Sequence, residues 1–467
     1  MPHVRRNLRR AVLGAAAPLA LRLAIRQALT LPNPAYREAE EQGRSTRDLE
    51  PKLRYYHWTP DGDLVIPRGA GRLVHALCRE YAVPVQLIDE ACEAPPIAFE
   101  ERVTLSAAQE RAVGDVLKRR IGVLEAPAGS GKTIMAMSVI ARRRQPTLII
   151  VHTKELAHQA VARAAAVLGL DEAEIGFVGD GQCTVGERLT IGLVQTLARG
   201  IPPALLEVGQ VVVDECHHCP AVQMAALVSQ FPAKFLLGLS ATPYRRDGLG
   251  RVIAFYLGET TARIDKAELA DRLIAPTIIK RETGCVVAGD SFTELVADLI
   301  HDPRRNRLIV ADVAHAVRAG RTCLILSDRV DHVERLTEML TDAGVSAAAL
   351  HGQLGKRRRG EVVAALGAGT LQAVVATGSL IGEGFDSPRL DTFFLATPVS
   401  FVGRVTQYIG RVSRTALGKV DALVVDYCDD NRMLWASWGK RGRLYRSAGL
   451  PITSSPAATA VSSRRNA

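Results

Sequence analysis

Two short stretches of this chain place phosphate-binding and proton-accepting groups at spacings that suit one reaction. The first is APAGSGKT, Ala126 to Thr133. It fits the phosphate-binding loop pattern, except that Ala126 stands where the first glycine is usual. Ala128, Gly129, Ser130 and Gly131 offer backbone amides that can curl round phosphate oxygens, and the two glycines permit the turn. Lys132 would reach the β- and γ-phosphates, and Thr133 would hold Mg²⁺. The second stretch is VVVDECHH, residues 211–218. It delivers Asp214 and Glu215 at the end of an apolar run, and successive side chains there diverge. The pair can therefore divide its work: Asp214 on Mg²⁺, Glu215 orienting and deprotonating a water. Alone, the acidic pair reads equally well as a solvated strand end. Beside a phosphate loop it argues for nucleoside triphosphate hydrolysis.

Such residues need a parallel sheet to hold them. IGVLE (121–125) precedes the loop and IMAMSVIARRR follows it, which is the strand–loop–helix context that the loop requires. Further apolar runs are TLIIVH (147–152), TIGLV (190–194), QVVVDE (210–215) and FLLGLSAT (235–242). Runs of this kind between helical stretches indicate a parallel sheet covered on both faces, with ligands at the C-terminal strand ends. After a less regular stretch (258–290) the alternation resumes. TCLILS (322–327), a helix near 331–343, AAALH (347–351), QAVVAT (372–377), TFFLAT (392–397) and ALVVDY (422–427) describe a second α/β domain. The expected layout is an N-terminal accessory region (1–100), α/β domains over 101–270 and 271–450, and a disordered tail over 451–467, whose residues are small and polar.

The 467 residues include 59 Lys+Arg against 49 Asp+Glu, a formal net charge of +10. With 23% charged and 47% hydrophobic residues, the composition is that of a soluble globular protein. Eight scattered cysteines are no disulfide framework and point to a reducing cytoplasm. Cys216 and Cys219 have CxxC spacing but no second ligand pair. Six arginines and no acid occupy the first 30 residues. Arg22 breaks the apolar stretch that follows the first four, so a signal peptide is disfavoured and a short amphipathic element or loose arm is expected. No apolar run is long enough to span a membrane.

From Leu105 to Arg414 the order of motifs resembles superfamily 2 helicases and translocases of the DExH type. LSAAQ, ending at Gln109, looks like the adenine-recognising glutamine motif, with Ala108 in place of the common aromatic. HTKELAHQ (152–159) and GLVQTLAR (192–199) resemble motifs Ia and Ib. DECH (214–217) resembles motif II, and SAT, with Ser240 and Thr242, resembles motif III. CLILSDRVDHVERL (323–336) looks like motif IV, VVATGSLIGEGFDSP (374–388) like motif V with Gly384 and Asp386, and QYIGRVSR (407–414) like motif VI.

The resemblance implies two tandem RecA-like domains, with ATP and Mg²⁺ bound in the cleft between them. Gln109, Gly384 and Asp386 would then add to the ATP site. Arg411 and Arg414, three apart and so on one face of a helix, would stabilise charge on the transferring γ-phosphoryl group. His217, Ser240, Thr242 and Gln407 would couple hydrolysis to movement. Thr153, Lys154, Gln195, Thr196, Ser327 and Thr377 would touch a sugar–phosphate backbone; strand-end caps and loop hydrogen bonds are the plainer alternative for each. SATPYRRDG (240–248) and the QxxGRxxR form of motif VI resemble the branch containing the excision-repair helicase of TFIIH and phage UvsW-type helicases. That branch implies an ATP-dependent DNA helicase or double-stranded DNA translocase. An RNA-dependent ATPase and an ATP-clamped binding subunit are the alternatives.

Residues outside the motifs leave two readings open. TLPNPAYREAEEQGRSTR (30–47) with LVIPRG (64–69) resembles the accessory region of some phage helicases, either a DNA grip or a packing platform. Near the C-terminus, Arg432, Lys440, Arg441, Arg443 and Arg446 are interleaved with Trp435, Trp438 and Tyr445, and no acid intervenes. Basic residues could track phosphates while aromatics stack on bases; a helix docking both tryptophans into its domain is favoured. The first 30 residues carry +6 and residues 432–467 carry +7, so the stretch between is slightly acidic, at −3.

Overall fold

The computed structural model describes the chain except residues 1–2, 8–9, 14–16, 85, 90, 128, 217–220, 242–249, 266–267, 269–273, 288, 290, 379–386, 388, 400–401, 417 and 456–467. It divides into two compact units, Met1–Glu268 and Leu269–Ala467.

The first unit is built on an eight-stranded sheet. Its spatial order is Gln182–Cys183, Gly176–Gly179, Leu189–Leu193, Thr147–Val151, Gln210–Val213, Phe235–Ser240, Ile121–Glu125 and Thr260–Arg263. Every pairing is parallel except that of the outermost two-residue strand. The inner strands are apolar along their length because helices cover both faces; Leu148, Ile150, Val211, Val213 and Leu236 share one core with Met224, Leu227 and Phe231. Thr260–Arg263, expected in the linking stretch, instead extends this sheet beside Ile121–Glu125.

The N-terminal region is folded and belongs to the first unit. His3–Asn7, Arg10–Leu13, His57–Trp58, Leu64–Ile66 and Gln86–Asp89 form a small mixed sheet. The helix Leu19–Ala28 turns Leu21 and Ile25 inward. These side chains join Leu64, Ile66, Val74 and Cys78 in a core that includes Ala225, Val252 and Phe255 of the α/β domain. The packing platform is therefore real, and the loose arginine arm is corrected: Arg22 lies 4.2 Å over the Trp58 ring and Arg26 donates to Tyr56 Oη at 3.2 Å.

The second unit holds a seven-stranded, all-parallel sheet in the order Ala347–Leu350, Ala373–Ala376, Cys323–Leu326, Thr392–Leu395, Leu423–Asp430, Thr277–Val286 and Ile452–Ser455. Leu324, Phe393 and Val424 enter the core on one face, and Ile325, Phe394 and Val425 enter that on the other. This alternation is why the strands read as unbroken apolar runs. Ile452–Ser455 corrects the expected tail: its backbone pairs with Ile278–Arg281 at the sheet edge. Both RecA-like sheets match the expected α/β class.

Candidate nucleotide-binding site

In the first unit the strands Gln210–Val213, Phe235–Ser240 and Ile121–Glu125 lie side by side and run parallel. Their C-terminal ends bring Asp214 and Glu215, Ser240, and the phosphate loop to one edge of the sheet. The Ala126 amide donates to Ser240 O at 3.0 Å, which fixes the start of the loop. Gly129 and Gly131 both adopt φ of +85°, where L side chains are strained. The loop then enters the helix Lys132–Arg143 through Gly131, with no side-chain cap on its first amides, and such uncapped amides are available to an anion.

Gln109 shapes the loop from outside. The helix Ala107–Leu117 opens with a capping box, in which Ser106 Oγ accepts from the Gln109 amide and Gln109 Oε1 accepts from the Ser106 amide. The other end of the Gln109 side chain donates to Ser130 O at 2.8 Å, and the residue is buried. A Cβ on Gly131 would meet Gln109 Nε2 at 2.6 Å. In this structure the glutamine amide braces the loop backbone.

Lys132 is 9% exposed; its Nζ donates to Ala126 O at 3.2 Å and lies 3.6 Å from Glu215 Oε1. Glu215 takes φ of +44°, a left-handed conformation rare for a glutamate, costing on the order of 1–3 kcal/mol. Its amide donates to Asp214 Oδ1 at 2.9 Å, and its carbonyl lies 3.1 Å from His152 Nε2. Burial, and then the neighbouring Glu215 carboxylate, push the Asp214 carboxyl up to about 7 against the pull of Lys132. Two adjacent, partly buried acids suit a hard cation. Ser130 Oγ is buried with no hydrogen-bond partner among the described residues. An unmatched hydroxyl within a ring of amides fits a phosphate. Thr133 and Asp214 are the residues that would hold Mg²⁺. Ala128, His217 and Thr242 lie outside the described residues. Cys216 is buried, Cys219 is not described, and no metal-ligating cluster occurs among the described residues.

The other expected residues divide by exposure. Thr153 caps the helix Lys154–Leu168, accepting from the Leu156 amide, and Lys154 pairs with Asp180. Gln195 is exposed and Thr196 half-buried. Ser327 is corrected as a surface contact: it is fully buried, with Oγ 2.9 Å from His332 Nδ1. Thr377 is also buried, its amide bonded to Leu350 O.

In the second unit Gln407 and Arg411 fall on the helix Val402–Val412, and Arg411 is half-buried. Arg414 lies beyond its end, which corrects the expectation that one helical face carries both arginines. The chain leaves the helix because Ile274 N donates to Ser413 O at 2.7 Å and Lys419 Nζ donates to Leu390 O, Val412 O and Arg414 O at 2.5–2.7 Å. Tyr408 Oη donates to Gly378 O at 3.2 Å, tying this helix to the start of the motif V segment. Gly384 and Asp386 lie outside the described residues. Lys419 is not legible in the sequence, since a lysine in a turn carries no signal until its carbonyl partners are known.

Comparison with known proteins bears on both units. The family model described as Type III restriction enzyme, res subunit, matches residues 102–245, and that of the helicase conserved C-terminal domain matches residues 306–416. "Probable helicase D10" of Escherichia phage T5 is 25% identical over 307 residues, which cover 65% of this chain and 67% of that protein. "DNA 3'-5' translocase XPB2" of Sulfurisphaera tokodaii is 28% identical over 207 residues, 44% of this chain and 45% of that one. In fold, the chain is similar to S. cerevisiae Dbp5 bound to RNA and ADP BeF3, with a TM-score of 0.58 at 15% identity over 76% of this chain and 90% of that one. This chain thus spans 67% of the phage relative and less than half of the second. No helix among the described residues is long and apolar enough to cross a membrane.

Proposed function

Because the chain belongs to the superfamily 2 helicases, with XPB-type proteins among its relatives, we propose that it is an ATP-driven motor on DNA, a helicase or double-stranded DNA translocase. One observation carries the reading: Lys132 Nζ stands 3.6 Å from Glu215 Oε1 at the edge where the phosphate loop and the acidic pair converge. Lys132 binds the β- and γ-phosphates. Thr133 and Asp214 hold Mg²⁺, which neutralises phosphate charge when bound. Glu215 takes a proton from the water that attacks the γ-phosphorus. Arg411 and Arg414 supply positive charge as the bond to ADP breaks. A relative named as a DNA translocase supports DNA as the track.

Glu215→Gln tests the chemistry. It should bind ATP normally and lower turnover by roughly 10²–10⁴-fold, the usual worth of a general base; normal turnover would overturn the assignment. ATPase stimulation compared across duplex DNA, forked DNA and RNA tests the track. Stimulation by RNA alone would refute a DNA motor.

A further inference from the structure

The helix Arg432–Ser447 has two unlike faces. Asn431 caps it, its side chain accepting from the Met433 amide. Leu434, Ser437, Arg441 and Tyr445 recur at helical spacing on the buried side. Arg441 forms a two-pronged pair with Asp426, Nε to Oδ2 and Nη2 to Oδ1, each at 2.8 Å. Its Nη1 donates to Val399 O and Ser437 Oγ, and Tyr445 Oη donates to Asp426 Oδ2 at 2.8 Å. Trp438 packs against Gly442, with Lys280 Nζ 5.2 Å from its ring. These residues fasten the helix to the sheet. Arg441, Trp438 and Tyr445 are thereby removed from the nucleic-acid constellation that the sequence suggested.

The outer face is different. Arg432, Trp435, Lys440, Arg443 and Arg446 are all exposed, and Trp435 shows 54% of its surface. At 100° per residue, Arg432, Trp435, Arg443 and Arg446 fall within one arc of about 80°, and Lys440 lies about 60° outside it. Gly439 lies between them, with nothing within 4 Å of where its Cβ would be. None of the four cations has a hydrogen-bond or ionic partner among the described residues. No acid occurs within the helix; Asp430 before it is exposed, and Glu282 is paired with Lys280. An unpaired row of this length on a firmly seated helix is complementary in charge to an anion of matching length. From Arg432 to Arg446 the rise is about 21 Å, the length of roughly six stacked nucleotides at ~3.4 Å each.

We infer that this outer face binds a single strand of nucleic acid: Arg432, Arg443 and Arg446 follow the phosphates, Lys440 flanks them, and Trp435 stacks on a base. An unpaired base is required because the face of a paired base is already covered by its neighbours in the duplex. The inference rests on the reading of the chain as a nucleic-acid motor, and it adds a contact outside the helicase motifs.

The test measures anisotropy of labelled 15-mers of dT and of U, and of a 15-base-pair duplex, with the full chain in a salt series without nucleotide. The triple variant Arg432→Gln/Arg443→Gln/Arg446→Gln should lower the single-strand salt slope by about 2, at ~0.7 per phosphate. Trp435→Ala should weaken single-strand binding roughly 5- to 100-fold, and Trp435→Tyr should restore most of it. The dT and U arms report whether the strand is DNA, RNA or either. All the substituted side chains are exposed, so melting temperature and ATPase without nucleic acid should stay unchanged. An unaltered salt slope with intact DNA-stimulated ATPase would overturn this contact and leave the motor standing. An equal loss on duplex from Trp435→Ala would overturn the single-strand assignment. The motor reading fails on a different result, no stimulation by any nucleic acid, and the nucleotide-free binding curves report on the helix even then.

Discussion

In the second unit Arg281, Arg305 and Arg441 each meet a buried aspartate, Asp312, Asp429 and Asp426, at 3.0, 2.7 and 2.8 Å. In the first unit Lys132, Asp214 and Glu215 are gathered at the strand ends, with Lys132 at 3.6 Å from Glu215 and a buried Ser130 hydroxyl unmatched beside them. These three interior charges of the second unit are completed within the protein. The first unit has left a mixed-sign group that a phosphate and a cation would complete. Buried charge therefore serves as framework in these three pairs and as receptor at the phosphate loop.

Removing a charge from each unit should separate the two uses. Lys132→Ala should reduce ATP turnover by roughly 10²–10³-fold and abolish the rise in melting temperature caused by ATP and Mg²⁺. The ATP-free melting temperature should hardly move. If the ATP-free protein instead unfolds, Lys132 is framework too. Asp426→Ala should do the opposite. Arg441 would be left buried without its carboxylate, destabilising the second unit by about 3–5 kcal/mol. Hydrogen exchange should rise in Thr277–Val286 and Leu423–Asp430 while ATP binding to the first unit persists.

Opposite pH slopes follow from the same contrast. Burial holds His332 neutral, its value lowered to about 3, between Ser327 Oγ and Asn306 Oδ1. The unfolded chain takes up a proton below about 6.5, so the second unit loses stability as pH falls from there towards 3. Asp214 is raised to about 7, so between about 4 and 7 the unfolded chain is ionised while the folded group is not. The ATP-free first unit therefore loses stability as pH rises through that window. The His332 effect is on the order of 4 kcal/mol. Exchange resolved by unit across pH 4–7 checks both signs, and parallel slopes would break the comparison. Lys419→Met should have the smallest effect. It strips the donor from three carbonyls near Arg414, for about 1–3 kcal/mol, and should lower kcat more than it raises KM for ATP.

The sequence shows some of this directly and hides the rest. The inner strands are legible because two-sided burial leaves unbroken apolar runs, and the phosphate loop is legible because its glycines and lysine are local requirements. Arg414 falls off the expected helical face because the helix stops through tertiary donors, Ile274 N and Lys419 Nζ, rather than through a glycine or proline. Ser327 looks like any strand-end hydroxyl until His332 is known to cover it. Arg441 and Arg443 are equivalent in composition and differ only in helical phase. Phase alone does not say which side faces Asp426. The short N-terminal strands have too few residues for a period to show.

The strand that opens the second unit has a consequence for synthesis. Thr277–Val286 lies between Leu423–Asp430 and Ile452–Ser455, so the earliest strand is flanked by the two latest. On the ribosome it must wait for some 140 further residues, on the order of 10 s at roughly 5–20 residues per second. The first unit has every strand of its sheet by Arg263 and can close during that interval. Nascent chains stalled near residue 400 should therefore carry a completed first-unit sheet with its phosphate loop and acidic pair, together with an unpaired strand whose Ile278 and Ile279 are still uncovered, the species that chaperones would be expected to meet.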